Sequence, residues 1–209
     1  MEQITVIIFI CIAMPLIPML FVLPDRRSRL MLGYMLLGSA ICLIAGEVNY
    51  YLLGLFKGDM LYVTTTITPI SEELLKALPV LYFAALFSDK RDTLLSISFA
   101  LGVGFAILEN AVILLQHPET ISVTWALARV IGAALMHGAC TSAVGMGMSY
   151  VKKRKKLFFC GTFALLIGAV IIHASFNVLV QSEYRIAAFI LPSLLYIPVV
   201  LKRRESEDE

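Results

Sequence analysis

The chain has 209 residues, 59% of them hydrophobic and 15% charged, with a net charge of +2 at neutral pH. Soluble domains average roughly 45–50% apolar and about 25% charged residues, so this composition excludes a soluble globular domain. A membrane-crossing helix needs about 20 apolar residues, which allows about seven crossings here and leaves almost nothing for an extramembrane domain.

In chain order the apolar runs are Ile4 to Leu23, Leu30 to Leu53, Leu61 to Phe87, Thr93 to Leu115, Val123 to Tyr150, Leu157 to Val180, and Ile186 to Leu201. They predict an all-α fold, a polytopic transmembrane bundle of about seven helices forming one integral membrane domain over residues 1–209. The first run has no basic stretch before it and extends to Leu23, so it reads as a retained helix rather than a cleaved signal peptide. Thr64-Thr65-Thr66 and Pro69 interrupt the third run and could divide it in two. Cys11, Cys42, Cys140 and Cys160 all fall within apolar runs without a CxxC pair, which reads as core residues rather than disulfides or ligands. Gly102, Gly104, Gly138, Gly145 and Gly147 are expected to let helices approach closely. Gly102-Val103-Gly104 is no nucleotide loop, because it lacks a third glycine and a βαβ setting.

The basic residues set an orientation. The loops after runs one, three and five and the tail after run seven hold 13 of the 17 Lys and Arg, whereas the opposite loops hold only Lys57 and Arg185. By the positive-inside rule the N-terminus lies outside and the C-terminus in the cytoplasm. The cluster Lys152 to Lys156 lies between two apolar runs, which reads as a topogenic loop facing lipid headgroups and not as a nucleic-acid patch.

A charge at the bilayer centre costs roughly 2.5–3.5 kcal/mol on insertion, so each one inside a run needs a reason. Glu47, Glu72, Glu73, Lys76, Glu109, Arg129, His137 and His173 are such residues, with Asn110 and Asn177 beside them. Glu72 and Lys76 stand at i and i+4, where the lysine can partly neutralise the carboxylate. Glu73 points about 100° away from Glu72. An isolated pair of this kind would be structural. Here the third to sixth runs together carry three glutamates and two histidines. His173 and Asn177 share a helix face at i and i+4. Glu109 and His173 lie roughly 9–12 Å from the outer helix ends, and Glu72 and Glu73 lie at a comparable level if their helix starts near Thr66. His137 is deeper by count, unless its helix protrudes. The convergence predicts one site in the outer half of the bilayer.

The inventory excludes other chemistries. Every aspartate lies in a loop or the tail, so there is no intramembrane aspartyl dyad, and there is neither an HExxH helix nor a GxSxG elbow. Glu109, His137 and His173 could bind Zn2+ as two histidines and one carboxylate with an open position for water. Glu72 or Glu73 would then take a proton from that water, and Asn177 could stabilise an oxyanion. The same glutamates and histidines could also activate water without a metal. A cation- or proton-coupled transporter, or a scaffold holding these groups as interhelical hydrogen bonds, are the other readings, although no internal repeat supports a transporter.

Glu72-Glu73-x-x-Lys76, Phe105-x-x-x-Glu109-Asn110, His137 followed by small residues, and His173-x-x-x-Asn177 resemble, in order and spacing, the PrsW family of intramembrane proteases. The resemblance covers roughly residues 70–177, within an expected catalytic core of about 61–181. A more distant similarity is to the CAAX prenyl endopeptidases, which pair a Glu-Glu motif ending in arginine with FxxxH and HxxxN. The resemblance implies a multi-pass endopeptidase of the bacterial plasma membrane. It also implies a membrane-anchored protein substrate, such as an anti-sigma factor cut first on its extracytoplasmic side, and no nucleic-acid partner.

Overall fold

The computed structural model describes residues 2–116 and 122–184, together with residues 187, 188, 190, 192, 194 and 196. These residues are almost wholly helical. Five helices are long and apolar enough to span a membrane: Gln3–Val22, Arg26–Leu55, Arg91–Gln116, Trp125–Met148 and Lys155–Val180. Among the described residues the count is therefore five rather than seven. The helical path from Met60 to Leu86 is of comparable length, but Glu72, Glu73 and Lys76 make it less apolar. The expected seventh run falls mostly outside the described residues.

The elements follow the predicted runs to within a few residues. The first span comprises α1 (Glu2–Leu16) and α2 (Met19–Val22), separated where Pro15 and Pro18 disturb the ladder. It lies at the periphery, with Ile4, Met14, Phe21 and Val22 all outward-facing. Asp25 caps α3 (Arg26–Leu55) by accepting a hydrogen bond from the Ser28 N–H at 2.8 Å, as side-chain oxygens do at helix starts. The helix ends where Lys57 and Gly58 adopt positive φ, a conformation natural to glycine.

The third path is interrupted but not broken. After α4 (Met60–Tyr62) the backbone widens into a π-helical turn over Val63–Ile67 and continues as α5 (Thr68–Leu86). Helicity thus begins at Met60, ahead of the Thr66 start expected from the sequence. The remaining helices are α6 (Arg91–Gln116), α7 (Val123–Met148) and α8 (Lys155–Val180).

Helix α6 is the centre of the bundle, packed between α3 and α7, while α8 lies against α7 and α5. Glycines permit this closeness. A methyl group at Gly104 would overlap the Met35 backbone of α3, and one at Gly102 would overlap the His137 carbonyl of α7. Helices lacking a hydrophobic drive to associate in lipid gain stability from such close backbone approach. Ser39 adds an interhelical bond to the Gly104 carbonyl at 2.7 Å. Of the cysteines, all free, only Cys140 is fully buried; Cys11 and Cys160 are exposed, so the expectation of a core role fails for those two. A membrane protein turns apolar side chains outward as well as inward, and apolar flanks alone do not separate the two faces.

The basic loops meet at one end of the bundle. Arg27 donates to Ser96 Oγ at 2.7 Å, Arg91 reaches Met146 Sδ at 3.1 Å, and Lys153 donates to the Asp89 carbonyl at 3.3 Å.

Candidate active site

The polar residues of α5, α6, α7 and α8 form one connected chain. From α8, His173 Nε2 stands 3.7 Å from Glu72 Oε2, and His173 Nδ1 is 2.9 Å from Glu73 Oε1. The same Glu73 oxygen accepts from Lys76 Nζ at 2.6 Å. Lys76 Nζ in turn lies 2.7 Å from Nδ1 of His137 on α7, whose Nε2 is 3.0 Å from Glu109 Oε2 on α6. The sequence placed these residues on four helices, and the fold brings all of them into contact.

Local helix geometry explains who meets whom. Lys76 pairs with Glu73 at i+3, not with Glu72 at i+4 as the sequence suggested. Both spacings put side chains within reach on a helix. The choice falls to neighbouring helices: Asn49 of α3 donates to Glu72 Oε1 at 3.1 Å, drawing that carboxylate the other way. Ser71 donates to Asn49 Oδ1 at 2.6 Å and fixes the amide. Phe105 and Glu109 share a face of α6 at i and i+4. The Phe105 ring lies 4.6 Å below Lys76 Nζ and 5.1 Å from the His137 ring, so one face of α6 holds the lysine by cation–π attraction and the histidine by a carboxylate. The two histidine rings meet edge to face, with centroids 4.7 Å apart.

The cluster is closed. Lys76, His137 and His173 have at most 1% of their surface exposed, and Glu109 alone keeps appreciable exposure, with 20% of its side chain accessible. Its levels also explain an apparent mismatch in depth. Glu109 and His173 each lie seven residues from the end of their helix, whereas His137 lies 14 residues from the start of α7. Because His137 touches Glu109, α7 extends about 10 Å beyond the end of α6.

The donor set fits a metal ion. Glu72 Oε2, Glu73 Oε2 and His173 Nε2 are buried and have no hydrogen-bond partner among the described residues. Buried polar atoms are nearly always satisfied, so these orphans, two of them 3.7 Å apart, call for an additional group. One ligand atom from each of Glu72, His137 and His173 lies within 4.8 Å of the others. Two ligands of a tetrahedral zinc, each about 2.0–2.2 Å from the ion, stand roughly 3.4 Å apart, close to the spacing between Glu72 and His173. The converging carboxylate is therefore Glu72, while Glu109, expected as the third ligand, lies one hydrogen bond away behind His137.

The PrsW family intramembrane metalloprotease profile matches residues 26–202. The chain belongs to this family. It is a peptide hydrolase that works within the membrane, and the resemblance read from its motifs holds across most of its length. No curated protein and no solved structure matches it.

In this PrsW protease the remaining predicted polar residues take separate places. Asn177 donates through Nδ2 to the Thr64 carbonyl at 2.9 Å, on the π-helical turn and outside the carboxylate–histidine chain. Glu47 is exposed on α3. Arg129 and Asn110 are buried, with Arg129 Nε and both polar atoms of the Asn110 side chain unpartnered among the described residues. Asn49 was missed by the sequence reading, although an asparagine two positions after Glu47 in an apolar run is the same kind of signal that selected the others.

Proposed function

We propose that this protease hydrolyses a peptide bond of a membrane-anchored protein near the outer face of a bacterial plasma membrane. A single-span protein of the anti-sigma-factor type, cut first on its extracytoplasmic side, is the substrate class we favour. The observation that carries this reading is the pair of adjacent glutamates, each with one oxygen held and one free. Glu72 is anchored through Oε1 by Asn49, and Glu73 through Oε1 by Lys76 and His173, while both Oε2 atoms are left as buried acceptors.

In this reading Glu72 through Oε2, His173 through Nε2 and His137 through Nδ1 would hold a divalent metal, Zn2+ by the chemistry of the donor set. When bound, such a metal supplies an acidified water and polarises the scissile carbonyl. Glu73 receives the water's proton at Oε2 and delivers it to the departing amine, as a general base and then acid. Lys76 holds Glu73 in position through its contact with Oε1. His137 carries its ring proton on Nε2 toward Glu109, and its one lone pair, on Nδ1, would turn from the Lys76 ammonium to a bound metal. Glu109 then orients His137, the supporting role that carboxylates commonly play for ligating histidines. The burial of the cluster keeps bulk water from competing with these contacts.

The test uses the full-length protein in vesicles with a single-span substrate whose cleavage products report the cut side. Glu73→Gln is expected to lower turnover about 10²–10⁴-fold while the protein still inserts and binds metal. His173→Ala and Glu72→Gln are expected to lose metal as well, measured by elemental analysis, whereas Glu109→Gln retains most of it. A chelator should stop cleavage and added zinc restore it. Wild-type cleavage by both Glu72→Gln and Glu73→Gln would overturn the reading.

A further inference from the structure

The widened turn before α5 leaves one carbonyl that its own helix cannot satisfy. The Thr68 N–H bonds to the Val63 carbonyl, a spacing of five residues. In that register the next donor, which would serve the Thr64 carbonyl, belongs to residue 69. Residue 69 is proline and has no N–H. The Thr64 carbonyl has lost its α-type donor too, since the Thr68 N–H is taken by Val63. A backbone carbonyl left unpaired at a half-buried position is costly, so a partner from outside its own helix is favoured.

Asn177 is that partner. Its Nδ2 donates to the Thr64 carbonyl at 2.9 Å, and Gln181 one turn further along α8 donates to Thr64 Oγ1 at 3.3 Å. We propose that Asn177 is a positioning residue, which caps the carbonyl freed by Pro69 and thereby locks the start of α5 to α8, rather than a donor to the reacting carbonyl. Three observations fit together. Asn177 sits one turn from His173 on the same face of α8. Glu72 and Glu73 follow Pro69 within a turn on α5. The contact from His173 to Glu73 therefore depends on the rotation of α5 about its axis, which the π-helical turn sets. With the Asn177 bond present, the two helices are fixed at both the backbone and the side-chain level. π-Helical turns are rare and are found disproportionately at functional sites, where they re-aim side chains.

The two roles for Asn177 separate in a double-mutant cycle with Pro69→Ala. Alanine at 69 restores the missing N–H, so it can satisfy the Thr64 carbonyl without Asn177. On this proposal Asn177→Ala lowers kcat about 30–100-fold with KM little changed. In the Pro69→Ala background the same substitution costs less than about threefold. A donor to the developing oxyanion would instead lose about 10²–10³-fold in both backgrounds. Equal losses in the two backgrounds would overturn the proposal. The activity arm rests on the protease reading above, so a second measurement on the full chain in detergent micelles is independent of it. Amide hydrogen exchange over residues 63–72 is expected to rise at least tenfold in Asn177→Ala and to return close to the parent rate in Asn177→Ala/Pro69→Ala. If Pro69→Ala alone abolishes cleavage, this exchange pattern decides. Unchanged exchange in Asn177→Ala would overturn the proposal, while a protein that shows the exchange pattern but cleaves nothing would refute only the protease reading.

Discussion

At the level of single residues, the site is a set of charges that tolerate burial only in each other's company. Lys76 is the key case: it is fully buried, and its ammonium bridges Glu73 and His137 over the Phe105 ring. Removing one member of a buried ion pair leaves an uncompensated charge and costs about 3–5 kcal/mol, whereas removing both charges costs far less. Lys76→Met is therefore expected to lower the unfolding temperature in detergent sharply. Lys76→Met/Glu73→Gln should recover most of that loss while remaining inactive. Thermal denaturation of the three proteins checks this, and a double variant no more stable than Lys76→Met would mean that the pair is not what holds the lysine in place.

At the level of elements, precision in the site comes from how closely the helices approach. Gly102 on α6 faces the His137 carbonyl across the α6–α7 contact, and a methyl group there has no space. Gly102→Ala must push α7 outward by a fraction of a helix radius, carrying His137 away from Glu109 and Lys76. A misplacement of about 1 Å costs on the order of 10²-fold in rate when catalysis depends on oriented groups. Gly168 on α8 offers the control, because a methyl group there meets nothing within 4 Å. Gly168→Ala should leave cleavage unchanged and add up to about 1 kcal/mol of helix stability. Comparing cleavage rates of the two variants at matched expression tests the contrast. Equal activity would show that the α6–α7 spacing does not control the site.

For the whole molecule, orientation decides which side of the membrane the substrate is cut on. The basic loops at 26–29, 89–91 and 152–156 gather at one end of the bundle, as the contacts of Arg27, Arg91 and Lys153 show. If the positive-inside rule sets them in the cytoplasm, the N-terminus and the connection between α6 and α7 are expected outside. Reporter fusions should then give a periplasmic-type signal after residue 120 and a cytoplasmic one after residue 154. A cytoplasmic signal at residue 120 would reverse the orientation and move the proposed cut to the other face.

The helical runs and the candidate residues were legible in the order of amino acids alone. Runs of about 20 apolar residues can do little in a membrane except form helices, because lipid offers no partner for a free backbone group. Charges inside such runs declare themselves for the same reason, which is why Glu72, Glu73, Lys76, Glu109, His137 and His173 could be singled out from the sequence. The pairing among them belonged to the tertiary structure. A helix presents i+3 and i+4 neighbours almost equally, so only Asn49 of α3 and His173 of α8 decided that Lys76 would hold Glu73 rather than Glu72. The same holds for Glu72 as the carboxylate converging with the histidines and for Asn177 as a partner of the Thr64 carbonyl. These depend on helix rotation and axial offset, which arise from close packing at Gly102 and Gly104 and from the π-helical turn ahead of Pro69. Apolar periodicity carries no record of either.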